Sequence, residues 1–134
     1  PWRFFMASDP ASRARLAATV YVPALVMSAP LAVAIAVQTE GSGVSGVDAG
    51  RAAQNMMLAA WAEGVASCPN GIRDAGALAR ELPLAPGEEV ALILAFGHPA
   101  RPRDPGRRSR DEWSRRAHRR PLAEVVVNLD PSEG

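Results

Sequence analysis

The sequence predicts one α+β or α/β domain, and three observations carry that reading. Two apolar runs, residues 31–37 (LAVAIAV) and 90–96 (VALILAF), contain no charge and read as strands buried on both faces. Around them lie segments with helical apolar spacing and recognisable starts. The 134 residues suffice for one core but not for two. A composition of 48% hydrophobic and 22% charged residues excludes collagen-like, coiled-coil and wholly disordered chains.

Residues 2–7 (WRFFMA) are mostly large side chains and read as a strand. Asp9-Pro10 is a helix start: Asp caps, Pro takes the first helical position, and Leu16, Ala17 and Val20 share a face. The buried run at 31–37 leads into a Gly/Ser-rich loop over 41–46, and Asp48 reads as the cap of a long helix over 49–64. On that helix Ala52, Ala53, Met56, Met57, Ala60 and Trp61 recur at helical spacing. Apolar side chains wrap much of its circumference, which predicts burial at the centre or at a subunit interface. After Ser67-Cys68-Pro69-Asn70-Gly71 come a short helix over about 73–82 and the second buried strand at 90–96. A helix capped by Ser109 and a last strand at 123–127 complete the order β-α-β-α-α-β-α-β.

Charge is unevenly spread. Residues 1–96 carry six arginines against eight acids, and residues 97–120 carry nine against three, although the whole chain nets only +1. Pro99, Pro102, Pro105 and Gly106 make 97–110 an exposed Arg/Pro-rich loop. A lone Cys68 excludes a disulfide framework, and with only His98 and His118 beside it no closed zinc site is expected. The 24 uncharged residues from Leu16 to Thr39 are interrupted by Pro23 and Pro30, so they read as buried core and no membrane partner is expected. Gly41-Ser-Gly43-Val-Ser-Gly46 spells a dinucleotide fingerprint. It follows its strand at a distance of three residues and lacks the second strand and acid that the fingerprint requires, so it reads as a connector. The chain also begins inside an apolar run, Pro1-Trp2-Arg3-Phe4, which suggests a piece whose upstream part is missing.

Three segments together resemble the nitroreductase family of flavin enzymes. Pro1-Trp2-Arg3-Phe4 is similar to the end of the family's Asn-x-Gln-Pro-Trp-x-Phe element. Residues 48–68, from Asp48 through Gln54-Asn55 and Gly64 to Cys68, resemble its central helix and following turn. Residues 88–99, with Gly97-His98-Pro99, and Arg119-Arg120-Pro121-Leu122 resemble its final strands and the arginine between them. The resemblance implies one nitroreductase-like domain over 1–134, incomplete at its N-terminus, of α+β class. A mixed sheet would be flanked by helices, with the central helix at a dimer interface.

It further implies a cytoplasmic homodimer with FMN bound between subunits, each site built from both chains. NAD(P)H passes a hydride to the flavin, and a small oxidant such as a nitroaromatic or quinone accepts it. Hydride transfer at a flavin needs no side-chain nucleophile, which agrees with the absence of any catalytic constellation in the sequence. Carried over by position, Pro1 and Trp2 lie beside the flavin and its ribityl tail. The turn Cys68-Pro69-Asn70-Gly71 crosses one face of the ring and aims backbone N–H groups at it. Arg119, with Arg120 as neighbouring candidate, grips the phosphate through a bidentate guanidinium. No catalytic side chain and no metal ligand is assigned.

The Asn and Gln that precede Pro1 in the family element are absent, and Val22-Pro23-Ala24-Leu25 offers no polar flavin contact. FMN is therefore expected to bind this chain weakly or not at all. Two other classes stay open: a degenerate, non-catalytic family member, and an anion- or nucleic-acid-binding module using the 101–120 arginine block. Only Trp113 interleaves that block, so nucleic acid is not the expected partner.

Overall fold

Both apolar runs become central strands of one sheet. The computed structural model describes residues 2–39, 45–101 and 104–127. Residues 1–100 and 101–134 form two compact units.

In the first unit, β1 (Trp2–Ala7), β2 (Leu31–Gln38), β3 (Ala66–Asn70) and β4 (Glu88–Gly97) are ordered β1-β2-β4-β3. The α+β class is the one expected. Within it, the four strands pair antiparallel throughout instead of forming a mixed sheet. Helices α1 (Pro10–Ala17), α2 (Pro23–Ser28) and α4 (Ala75–Glu81) contribute to the core on one face of the sheet, and α3 (Ser45–Ala62) to the core on the other.

Strand β2 sorts its side chains by parity. Ala32 and Ala34 belong to the core with Leu16, Val20, Val26 and Leu78, whereas Val33, Ile35 and Val37 meet Ala49 and Ala53 of α3. Both faces are dry, as the unbroken apolar run requires. Strand β4 serves the same two layers with a shift in register. Leu92 pairs with Ile35 but Val90 with Ala36, so Ala91 is the extra residue of a bulge. The bulge resets the alternation: Leu92 and Leu94 face α3, while Val90 packs into the opposite core.

Asp9 caps α1 as expected, accepting the Ser12 N–H at 2.9 Å. Helix α2 was not anticipated; Pro23 at its start and Pro30 two residues beyond its end delimit one and a half turns that bury Val26. The long helix begins at Ser45, so Asp48 lies in its first turn, beside the positive end of the helix dipole, and is not its cap. Ser45 and Gly46, expected in a loop, are helical; Gly41 and Gly43 fall outside the described residues. Only one face of α3 is buried within the chain. Along the opposite stripe Val47, Leu58 and Trp61 stand exposed, with Arg51 and Gln54 between them.

In the second unit, a 3₁₀ turn (Pro105–Arg107) precedes α5 (Arg110–Arg116) and α6 (Leu122–Val125). The strand expected at 123–127 is instead this single helical turn. Its segment follows Pro121, whose carbonyl accepts the Glu124 N–H at 3.0 Å, and no described strand pairs with it. Ser109 forms a full capping box with Glu112. The Ser109 N–H and hydroxyl, with Arg108 nearby, hold the Glu112 carboxyl below its ordinary 4.5.

Ile35→Ala is expected to cost about 2–5 kcal/mol, as for other buried aliphatic truncations, read from urea unfolding. The capping box gives a pH signature. Because the folded value is lowered, its contribution is complete above 4.5 and fades as pH falls through the lowered value. Amide shifts of α5 should report fraying in that acid window, and Glu112→Gln should abolish the transition.

Candidate functional site

The sheet separates the residues that the sequence groups into one site. Trp2 opens β1 and pairs with Val37, on one edge and at one end of the sheet. Cys68 and Asn70 lie on β3 at the other edge, where Cys68 pairs with Ala95 and Ala95 in turn with Ala32. Five register steps along the strands and three strand spacings across put Trp2 and Cys68 roughly 20 Å apart. Pro1 falls outside the described residues. Arg119 and Arg120 are exposed and follow α5 in the second unit.

The segment expected as a turn, Cys68-Pro69-Asn70-Gly71, is strand up to Asn70. Pro69 signals a turn in isolation, but an edge strand tolerates its missing N–H, and pairing with the apolar β4 outweighs the local preference. The backbone just beyond it is clamped from one side. Gly71 accepts the Tyr21 N–H at 3.2 Å, and the Thr19 carbonyl accepts the N–H groups of Arg73 and Asp74 at 2.8 and 3.1 Å. The Arg73 guanidinium donates to the Ala18 carbonyl at 2.9 Å. A Cβ on Gly71 would stand 3.3 Å from the Tyr21 ring, so this approach favours glycine.

Side chains alternate along this edge. Pro69 is exposed and Cys68 half-buried, whereas Asn70 is 2% exposed and neither atom of its amide has a protein partner. Sealed in this way, the Asn70 side chain cannot reach a ligand; what this edge offers is the backbone and the Pro69 ring. Cys68 directs its thiol toward the Pro69 carbonyl at 3.8 Å. Among the described residues no group of three or more His, Cys, Asp or Glu side chains could hold a metal ion. No helix among them is long and apolar enough to cross a membrane.

A feature that the sequence reading missed lies on the α3 face. Pairing places Phe4 and Met6 on the same side of the sheet as Ile35 and Val33. Beside them opens a groove of about 650 Å³, lined chiefly by Phe4, Met6, Val33, Met56, Ala60 and Phe96, with Glu63 as its one charged residue. The alternation of large apolar residues in 2–7 was the available signal, and it becomes informative only once α3 is known to stop short of β1.

An antiparallel four-stranded sheet between one long helix and three short ones defines an α+β class shared with known proteins. A model of the nitroreductase family matches residues 25–98, and the chain belongs to that family. A nitroreductase family protein from Clostridium difficile 630 is 22% identical with TM-score 0.75, over 98% of this chain and 75% of its own. A nitroreductase from Bacillus subtilis gives 17% identity and TM-score 0.73, over 96% of this chain and 77% of its own. An FMN-dependent nitroreductase from Clostridium difficile R20291 gives 18% and 0.71, over 96% and 75%. The chain spans 62% of the length of a family protein from Clostridium novyi NT. No curated protein matches the sequence.

Replacing Asn70 by Leu removes two unpartnered polar atoms at nearly constant volume. Asn70→Leu is expected to raise stability by about 1–2 kcal/mol in urea unfolding. A loss of stability would instead assign an ordered water to the amide.

Proposed function

We propose that the chain is a flavin oxidoreductase subunit that binds FMN between two copies, takes electrons from NAD(P)H and delivers them to a small oxidant such as a nitroaromatic or quinone. One observation carries the two-copy arrangement: Trp2 and the 68–71 edge lie on opposite edges of the sheet, with Cys68 five register steps along the strands from Trp2. One flavin can meet both only if they come from different copies. Exposed Val47, Leu58 and Trp61 on the outer face of α3, with Arg51 and Gln54 between them, supply a mixed apolar and polar surface that such a pairing can bury. Membership of the family and the FMN-dependent relative support the choice of cofactor. The cytoplasm suits a chain supplied by NAD(P)H.

The residues present fit part of a flavin site. The Gly71 backbone is fixed by Tyr21, and among the described residues β3 has a neighbouring strand on one side only. The backbone at Gly71 can meet the ring edge, with Pro69 beside it as a stiff apolar contact. Arg119 and Arg120, exposed in the second unit, are the guanidinium donors proposed for the phosphate. Trp2, 42% exposed, offers its indole from the other copy. When bound, the flavin supplies the hydride chemistry; the chain orients it, holds its phosphate and keeps water from its face. No side chain of the chain needs to act as nucleophile.

Titrating the purified chain with FMN and following flavin fluorescence tests the reading. Saturable quenching is expected, with loss on desalting, and Arg119→Gln should weaken it about tenfold, the value of one charge-assisted contact. Leu58→Arg should shift the chain to monomers in sedimentation and remove FMN binding with it. Absence of quenching in a dimeric wild-type chain would overturn the proposal. Quenching without NAD(P)H oxidation would identify a non-catalytic member.

A further inference from the structure

We propose that the second unit carries a nucleic-acid backbone contact surface, independent of flavin binding. Residues 101–120 hold nine arginines against three acids. Every described arginine of this block is exposed except Arg108, which is half-buried with its guanidinium 4.7 Å from the centre of the Trp113 ring. Two of the three acids are engaged in local turns. Asp104 accepts the Gly106 N–H at 2.9 Å, and Glu112 accepts the Ser109 N–H and hydroxyl at 2.8 and 3.0 Å. The ion pairs among described residues, Arg3–Glu88 and Arg15–Glu81, both lie in the first unit. Arg115 donates from Nε to the Asp111 carbonyl at 3.4 Å, and apart from Arg108 the described arginines of 101–120 have no carboxylate partner.

The spread of the charge selects the partner. Arg107, Arg110, Arg115 and Arg116 occupy the 3₁₀ turn and both ends of α5, more sites than a single mono- or diphosphate engages. A repeating phosphodiester backbone meets several at once, through bidentate guanidinium forks. Membrane docking is the weaker reading, because α5 has Trp113 as its one large apolar residue, and that ring lies under Arg108. Scarcity of aromatics argues against base stacking, and backbone contact requires none. The binding is therefore insensitive to base sequence and steeply dependent on salt.

Fluorescence anisotropy with a labelled single strand of about 20 nucleotides, between roughly 50 and 200 mM salt, tests this. With four phosphates contacted, log affinity should fall against log salt with a slope of about −3, at about −0.7 per contact. Arg110→Gln with Arg115→Gln and Arg116→Gln should reduce that slope to about −1. Arg15→Gln with Arg80→Gln, which removes exposed charges from the first unit away from the outer face of α3, should leave it unchanged. The proposal is overturned by no binding at the lowest salt, by a slope that survives the triple substitution, or by binding to phosphatidylglycerol-rich vesicles in preference to the oligonucleotide.

Discussion

The burial of β2 on both faces is the constraint on which the rest of the first unit depends. From Ala32 to Val37 no side chain reaches water appreciably, so each must be the right size for one of two different layers. Alanines at 32 and 34 allow the thin helices α1, α2 and α4 to approach, and β-branched residues at 33, 35 and 37 fill the gap to α3. A slip of one residue would exchange the two sets, leaving voids on one side and overpacking the other. The bulge at Ala91 follows from the same demand. Strand β4 must present Leu92 and Leu94 to α3 and still turn Val90 toward the opposite core.

Much of this was legible because the signals were local. Asp9-Pro10 and Ser109 with Glu112 announce their caps through hydrogen bonds spanning three residues, and the runs at 31–37 and 90–96 need only their own composition to be recognised. What could not be read depends on partners remote in sequence. Pro69 becomes acceptable in β3 because, among the described residues, β4 lies on one side of it and no strand on the other. Residues 123–127 have strand-forming valines but no strand to pair with among the described residues, and the local turn after Pro121 prevails. The start of α3 at Ser45 was hidden by glycines, whose low helix propensity carries little weight beside packing on Val33 and Ile35.

The candidate site was legible only as a set of positions. The resemblance named Trp2, residues 68–71 and Arg119, but the separation of the first two is a property of strand order, which composition does not encode. Strand order also decides which atoms of a named residue are available. Asn70 and Cys68 share the sheet face of Ile93 and Ala95, which turns the Asn70 amide inward and leaves the neighbouring backbone as the usable chemistry.

Strand order leads to a stoichiometric consequence for the proposed dimer. A two-fold axis relates identical patches, so whatever one copy presents at its β1 edge, its partner presents at the symmetric place. If Trp2 of one copy meets the 68–71 edge of the other, symmetry repeats the meeting on the far side. Two equivalent sites then form together, each with one β1 edge and one β3 edge. Neither can exist in an isolated chain, because the four strands that hold the sheet together also hold these two edges apart. The rigidity that β2 imposes on the core is thus the reason the proposed flavin site, if it joins these two edges, takes one from each copy.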